Sequence, residues 1–176
     1  SGSTVTEYTD FAKALENWTD GTTLTLLDDV TYNAYIEPGA GTRTFDGGNH
    51  TITGLYSVVD EGGTYGGLIE WLDSEGTVKN LKIRDFCLEG SYSGAIAGQN
   101  KGKIIGCSIS GTGIFNSSHE LDGGQFGGIV FENLGQVTDC SISANLSLKG
   151  AGEFGGIAYS NAQDASIIRC STSGTL

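Results

Sequence analysis

Apolar residues near the start of the chain recur with the period of a helix, and this period changes to that of a β-strand from about residue 22. Phe11, Leu15 and Trp18 are spaced by four and three residues, which places them on one face of a helix. Thr9 is a suitable N-cap, and Asp10 follows in the first turn, where the helix dipole favours an acidic side chain. The pattern therefore predicts a helix over residues 9–18 with one apolar face.

Beyond this helix, apolar and polar residues alternate in short segments. Leu24 and Leu26 are separated by one Thr, as expected of a half-buried strand. Similar segments follow at residues 32–36, 42–45 and 50–52, with glycine-rich turns between them. We therefore expect an all-β region made of many short strands.

An internal repeat is the strongest signal in the sequence. One segment, an aromatic residue before a glycine-containing corner, begins at Tyr65, Tyr92, Phe126 and Phe154, with spacings of 27, 34 and 28 residues. A second segment with alternating apolar residues follows each of these and begins at Gly76, Gly102, Gly135 and Ala165. Periods of this length indicate stacked structural units, and these units contain strands and turns without a helix. The repeat predicts a parallel β-solenoid of about six turns.

Stacking places equivalent residues of successive turns about 4.8 Å apart, in columns. Three columns are expected to face the interior: Val78, Ile104, Val137 and Ile167; Leu81, Cys107, Cys140 and Cys170; and Ile83, Ile109, Ile142 and Thr172. The two residues between the first and second columns break the alternation, so the chain should bend there. The N-terminal helix is expected to cover the first turn and hide its strand edge.

Composition and charge exclude several classes of protein. The chain has 176 residues, 29 of them glycine, and its net charge of −12 argues against nucleic acid or an anionic membrane as a partner. No apolar segment approaches the roughly 18 residues that a membrane-spanning helix needs.

We expect a single domain over residues 4–176, with a cap helix at 4–21, lead-in turns at 22–64 and repeats at 65–176. This domain is expected to be a monomeric part of a longer protein.

The segment at residues 45–56, FDGGNHTITGLY, together with the Gly-Gly-Leu-Ile corners and the Gly-x-Ile-x-x-Cys strands, resembles GLUG-repeat proteins. These are bacterial surface and secreted proteins, including some IgA-specific metallopeptidases and large adhesin-like polypeptides. Over residues 42–176 the resemblance implies a right-handed parallel β-helix in an extracellular or cell-surface location. The family's Gly-Leu-x-Gly signature is imperfect, and its second glycine is replaced by Glu70, Ala97, Phe131 and Tyr159. The resemblance implies no catalytic residues, and the chain lacks a His-Glu-x-x-His metallopeptidase motif.

The repeated cysteines and aromatic residues each allow two interpretations. The cysteines are either buried thiols in the core or form at least one disulfide, and they lack the paired spacing of a zinc site. The column of Tyr65, Tyr92, Phe126 and Phe154 either stabilises the stack by ring contacts or offers a strip on which sugars stack. Trp71 and Tyr159 are the exposed aromatic residues that we expect a glycan ligand to use.

The longest interval of the repeat contains an insertion over residues 112–124. Insertions in solenoids project as loops, often on the binding face, so His119, Glu120 and Asp122 are candidates for binding a ligand or a metal; a solvated loop is the alternative. Elsewhere, acidic residues occur in local pairs that either form a solvated face or bind calcium weakly: Asp28 with Asp29, Asp60 with Glu61, and Asp73 with Glu75.

Three functions follow from these observations. The first is a non-catalytic β-helical module of a bacterial surface or secreted protein. It needs no cofactor and acts as an adhesin-like stalk or contact surface for host or neighbouring-cell molecules. The second is a glycan-binding module that accompanies an enzyme. The third is a polysaccharide-cleaving enzyme, which requires carboxylates that converge on one glycosidic bond.

Overall fold

The chain folds mainly into short β-strands with one short helix. The structure is a computed structural model, and it describes residues 6–33, 36, 42–59, 65–117, 123–150 and 152–176. The described elements are, in chain order, α1 (Phe11–Glu16), β1 (Thr23–Thr25), β2 (Val30–Thr31), β3 (Thr44–Asp46), β4 (Thr51–Thr53), β5 (Tyr56–Val58), β6 (Ile69–Leu72), β7 (Thr77–Lys79), β8 (Lys82–Glu89), β9 (Tyr92–Gly94), β10 (Ala97–Asn100), β11 (Lys103–Ile105), β12 (Ser108–Asn116), β13 (Gly124–Gly127), β14 (Val130–Asn133), β15 (Gln136–Thr138), β16 (Ser141–Ile142), β17 (Asn145–Lys149), β18 (Gly152–Gly155), β19 (Ala158–Asn161), β20 (Ser166–Ile168) and β21 (Ser171–Thr172).

These strands form four parallel sheets around a common core. Sheet I has the order β1-β3-β7-β11-β15-β20, and sheet II has the order β2-β4-β8-β12-β16-β21, with β5 beside β8 and β17 beside β12. Sheet III is β9-β13-β18, and sheet IV is β6-β10-β14-β19. The chain passes through sheets III, IV, I and II in each turn, as in β9, β10, β11 and β12, and this succession is a β-solenoid.

Sheet IV has four strands, so the solenoid has about four turns. The expected six turns are not confirmed. Sheet I does extend to six strands, but among the described residues the turns of its first two strands, β1 and β3, contribute no strand to sheet III or IV; only Ile36 forms a single parallel bridge to Ile69 of β6.

The predicted interior columns are confirmed by the strand register. Val78, Ile104, Val137 and Ile167 are Cα partners across sheet I, and Ile83, Ile109, Ile142 and Thr172 are partners across sheet II. The first three members of each column are buried, whereas the last turn is open: Ile167 is 38 % exposed. An open groove of about 200 Å³, lined by Leu146, Phe154 and Leu176 among others, lies at this end.

The expected bend between the first two columns is also present. Asn80, Gly106, Asp139 and Arg169 occupy this position in successive turns, and each has a φ between 51° and 62°. This left-handed conformation turns the backbone by a large angle within one residue, which takes the chain from sheet I to sheet II. Glycine adopts it without steric cost and Asn and Asp adopt it more readily than most residues, so Arg169 is the least expected residue of the four.

The helix is shorter than predicted, and its N-cap is Asp10 rather than Thr9. The Asp10 carboxylate accepts a hydrogen bond from the Ala12 backbone at 2.9 Å, which a residue at the cap position is placed to do. The predicted apolar residues do pack together, although Trp18 lies two residues beyond α1: the Phe11 ring packs edge-on to Phe45 with centroids 6.1 Å apart, and the Trp18 ring does so at 5.9 Å.

The predicted aromatic column is wrong as one continuous column: Phe126 and Phe154 are Cα partners as expected, but Tyr92 is not in register with them. Tyr92 pairs with Gln125 rather than with Phe126, because the true register of sheet III is shifted by one residue from the sequence alignment of the repeats. A shift of one residue moves a side chain to the opposite face of a strand. Tyr92 is therefore exposed, whereas Phe126 is fully buried and its ring lies 5.0 Å from that of Phe115 in the core.

The same shift corrects one position of the glycine signature. Ala97 pairs with Ile69 and Val130, so Gly98, and not Ala97, is equivalent to Glu70, Phe131 and Tyr159. The alignment error arises because Ala95, Ile96 and Ala97 are all buried, and their apolar run fits the repeat in either register.

The cysteines of the second column are thiols that stack along the core. The Cys107 backbone N–H donates to Cys140 Sγ at 3.4 Å, and Cys107 and Cys140 are both buried. Cys87 and Cys170 are also free and lie half-buried. A side-chain hydrogen bond with Cys140, together with burial, raises the pKa of the Cys107 thiol, so this thiol stays protonated in the core.

An asparagine ladder runs through the core beside the aliphatic columns. Asn100 donates through Nδ2 to Asn133 Oδ1 at 2.8 Å, and Asn133 donates in turn to Asn161 Oδ1 at 2.7 Å. The preceding turn carries Leu72 at this position, which explains why Asn100 Oδ1 is buried without a donor. Each amide also donates to a backbone carbonyl of a corner, so the ladder connects three turns, with Asn100 and Asn133 buried and Asn161 at its exposed end.

We predict that Asn133→Leu destabilises the solenoid by about 2–4 kcal/mol, since it leaves Asn100 Nδ2 and Asn161 Oδ1 without their partner in the ladder. Leu72 shows that a leucine fits this repeat position, so the loss would report hydrogen bonding more than size. Urea unfolding followed by circular dichroism measures the effect. Asn161→Leu at the exposed end is the control and should cost less than half as much. Equal losses at both positions would contradict the ladder's role.

Candidate ligand-contact site

Four aromatic side chains gather on the outer surface where sheets III and IV meet. They are Tyr65, Tyr92, Phe131 and Tyr159, and we refer to them as the outer aromatic patch. The ring of Phe131 is at the centre, with its centroid 5.6 Å from Tyr65, 5.2 Å from Tyr92 and 5.2 Å from Tyr159. The hydrophobic core cluster does not include Phe131, so these rings, and not the interior, account for its low exposure.

The repeat register brings these residues together although they are far apart in sequence. Phe131 and Tyr159 follow Val130 and Ala158, which are paired across sheet IV, and their rings stack at an interplanar angle of 11°. Tyr92 comes from the neighbouring sheet III, where it starts β9. With Tyr65, which precedes β6, the corner between two sheets thus collects side chains from four successive turns.

Gly98 leaves the space that the Tyr65 side chain occupies. A Cβ atom at position 98 would lie 2.2 Å from Tyr65 Cβ, which no real side chain tolerates. Because Gly98 occupies the outer position between Glu70 and Phe131, the absence of a side chain there allows Tyr65 to lie across the strand and reach the Phe131 ring.

Two glutamates frame the patch, and neutral donors hold both of them. Glu132 Oε2 accepts from Gln99 Nε2 at 2.6 Å and from the Tyr65 hydroxyl at 3.3 Å. Glu153 Oε2 accepts from the Tyr159 hydroxyl at 2.6 Å and from Gln125 Nε2. The tyrosine rings are therefore fixed at their hydroxyl ends as well as by ring contacts.

The carboxylates make the patch electrically negative, and they contribute to raised pKa values of two of its tyrosines. The hydrogen bond to Glu153 and partial desolvation raise the pKa of Tyr159. Burial, followed by the charge of Glu132, raises the pKa of Tyr65. Both hydroxyls thus remain protonated donors over a wider pH range than an isolated tyrosine.

The structure brings one of the predicted binding residues into this patch and places another beside it. Tyr159 is a member, and Trp71 lies on β6 in the same row as Gln99 and Glu132, with 40 % of its surface exposed. The other three candidates, His119, Glu120 and Asp122, lie outside the described residues.

In the two predicted acidic pairs that the structure describes, Asp29 and Asp73 accept hydrogen bonds from backbone groups. Asp29 accepts from the Thr51 backbone at 2.7 Å and lies 3.6 Å from His50 Nδ1, and the carbonyl of Asp73 accepts from Gly76. Asp60 and Glu61 lie outside the described residues. Across the described ranges, no group of three or more His, Cys, Asp or Glu side chains is arranged to hold a metal ion.

Sequence reasoning identified Tyr65, Tyr92 and Tyr159 but missed Phe131 as their centre, together with Glu132 and Glu153. The signal that the sequence offered for Phe131 was its position in the repeat rather than its residue type. Phe131 and Tyr159 are equivalent in the repeat, and each has a polar residue directly after it. The contribution of Tyr65 was not visible, because it depends on the empty space beside Gly98.

Comparisons with protein-family models, with curated proteins and with solved structures find no match to this chain. The resemblance to GLUG-repeat proteins accordingly stays a prediction that rests on the repeat itself. In the part of the chain that the structure describes, no helix has the length and apolar character needed to cross a membrane.

We predict that Glu153→Gln lowers the pKa of Tyr159 toward its ordinary value near 10, because the variant removes the carboxylate that holds the hydroxyl proton. The Tyr159 hydroxyl is then protonated over a narrower pH range, and the midpoint of its titration moves to lower pH. Carbon-detected NMR of tyrosines labelled at Cζ resolves this residue from the other six. Glu75→Gln, an exposed turn residue, is the control and should leave the titration unchanged. An unshifted Tyr159 in Glu153→Gln would contradict the hydrogen bond.

Proposed function

We propose that the chain is a non-catalytic extracellular β-solenoid module of a bacterial surface or secreted protein, with the outer aromatic patch as its contact surface. The observation that supports this most directly is the patch itself. Its rings are held in place by one another and by Glu132 and Glu153, and Tyr92 remains 40 % exposed. Exposed apolar groups gathered in one place and rimmed by polar residues are typical of interaction sites.

The continuous interior supports a role as a rigid support for this surface. The aliphatic columns, the stacked thiols and the asparagine ladder all run along the same axis, so each turn fixes the next. Rings placed on such a support lose little conformational freedom on binding, because they are already ordered in the free protein. A stalk that presents a preformed contact surface needs this property.

We further propose that α1 caps the N-terminal end and that the solenoid is right-handed. The helix packs its apolar face on Phe45, and the Trp18 indole donates to the Thr44 backbone oxygen at 3.1 Å. These contacts with β3 support the capping role, because β3 pairs with the first described strand, β1, whose edge could otherwise pair with another chain. Connections between parallel strands of one sheet are right-handed in nearly all proteins, which supports the handedness.

We predict that Trp18→Ala destabilises the protein by about 3–5 kcal/mol, through lost packing on Phe45 and a lost hydrogen bond. If the helix caps the end, the variant should also form oligomers at protein concentrations where the unaltered chain is monomeric. Chemical unfolding and light scattering measure the two effects. Leu27→Ala, at a residue that is 70 % exposed, is the control and should change neither. A destabilised Trp18→Ala that stays monomeric would argue against the capping role.

A glycan-binding module is the second candidate, and the position of Trp71 favours it. Its indole lies in the row that continues through Gln99 and Glu132, so an exposed ring and groups that hydrogen-bond hydroxyls occur side by side. Amphipathic rings next to polar groups suit ligands that are apolar on one face and polar at the edges. Both candidates therefore use the same side of the molecule.

The contact function is tested with the purified chain, fluorescently labelled, on fixed epithelial cells and on an array of neutral and acidic oligosaccharides. We predict that the double variant Tyr92→Ser and Tyr159→Ser loses about tenfold or more in apparent affinity, since central aromatic residues dominate such interfaces. Ile168→Ser, at an exposed apolar residue of sheet I, is the control and should bind normally. Unchanged binding by the double variant would remove the patch from the function, and release of sugar products from the array would favour an enzyme.

A further inference from the structure

The outer aromatic patch offers negative charge and carboxylate oxygens, and two of its three tyrosine hydroxyls already donate to these carboxylates. The two hydrogen bonds at each glutamate converge on Oε2, which leaves Oε1 of Glu132 and Glu153 available to a ligand. The hydroxyl protons of Tyr65 and Tyr159 are already committed to these carboxylates. A complementary ligand must therefore bring donors of its own.

Among the described residues, no Lys, Arg or His forms an ion pair with Glu132 or Glu153. All nine Lys and Arg residues lie in described segments, and their ion pairs are with aspartates elsewhere, such as Asp20, Asp46 and Asp139. The whole chain carries a net charge of −12, so the surrounding field also favours a positive ligand.

The same chemistry occurs elsewhere in the described part of the chain, where an arginine completes it. The Arg43 guanidinium lies over the Trp18 ring, 5.6 Å from its centroid, and Arg43 Nε contacts Asp20 Oδ1 at 3.1 Å. An aromatic ring and a carboxylate thus hold one guanidinium group between them. The outer aromatic patch has the ring and the carboxylate at two places, Tyr65 with Glu132 and Tyr159 with Glu153, without the guanidinium.

We propose that the outer aromatic patch binds arginine side chains of a partner protein. A guanidinium group is planar, stacks on aromatic rings and carries five donors that suit carboxylate oxygens, which the more compact lysine ammonium does not match. This inference rests on the proposed contact function and specifies the partner for that surface. A neutral glycan would gain from the rings but not from the uncompensated charge.

The proposal is tested by titrating the isotope-labelled chain with the peptide acetyl-Gly-Arg-Gly-Arg-Gly-amide and observing the backbone amides of Gly98, Glu132 and Tyr159 by NMR. A peptide with citrulline in place of both arginines has nearly the same shape without the charge. We expect the arginine peptide to bind at least about tenfold more tightly than the citrulline peptide. A third peptide, with lysine in place of both arginines, should have an intermediate affinity. Equal binding of the arginine and citrulline peptides would overturn the proposal.

Matched variants separate the site from the overall charge. The double variant Glu132→Gln and Glu153→Gln should lose about tenfold or more in affinity for the arginine peptide, because charge-assisted contacts become neutral. Glu16→Gln with Glu75→Gln makes the same chemical change at exposed residues outside the patch and should bind like the unaltered chain. An equal loss in both double variants would show only general attraction to a negative protein and would overturn the proposal.

The binding experiments distinguish a failure of the arginine inference from a failure of the proposed contact function. If Tyr92→Ser with Tyr159→Ser abolishes binding to cells but the arginine peptide does not shift the patch amides, the contact function stands and the arginine inference fails. Shifts of the same amides by a neutral oligosaccharide, without shifts by the arginine peptide, would instead establish the glycan alternative. If the patch variants bind cells normally and the arginine peptide still binds the patch, the contact function fails while the site itself is retained.

Discussion

This structure depends on one constraint: each turn pairs in parallel with the next. The register of this pairing places similar residues directly above one another. The carbonyls of Leu81, Cys107 and Cys140, at one repeat position, accept from Ser108, Ser141 and Ser171 of the following turns. Since each turn is the template for its neighbour, one register error would move a whole set of side chains between the core and the solvent. The aliphatic columns strengthen this pairing by burial, and the asparagine ladder makes it specific, because an amide in a dry interior requires a partner at a fixed position.

The same stacking creates the outer surface. Residues that lie about 30 positions apart in sequence become neighbours one strand spacing apart, so a few aromatic residues at related positions form a continuous group of rings. The core keeps Phe115 and Phe126 inside, while the corner between sheets III and IV keeps Phe131 outside. Glutamates at the rim then add charge to a surface that the columns have made rigid. Fold and contact surface are thus two results of one repeat.

The ends of the molecule differ in how this pairing is completed. At the N-terminal end, Phe11 and Trp18 pack against Phe45. At the other end, Cys170 and Phe154 are only partly buried, and Ile168 is 44 % exposed. The last described turn therefore has apolar residues at the same positions as the interior turns, but these residues are less buried. Because stabilisation grows with the apolar area buried, they stabilise the fold less than their counterparts in the interior.

The sequence by itself determined the β-solenoid, the members of the aliphatic columns, the bend beside Asn80 and Asp139, and the apolar face of the helix, because each depends on local periodicity that repeats in register. It did not determine the number of complete turns or which aromatic residues face out. The first depends on how many turns complete sheet IV, and the second on the pairing of sheet III and on the buried residues 95–97, which fit two registers until the packing of all turns selects one. The position of Tyr65 is the clearest case, since it follows from the empty space beside Gly98 on another turn. Local pattern specifies what repeats, and tertiary contact alone specifies how neighbouring repeats are aligned.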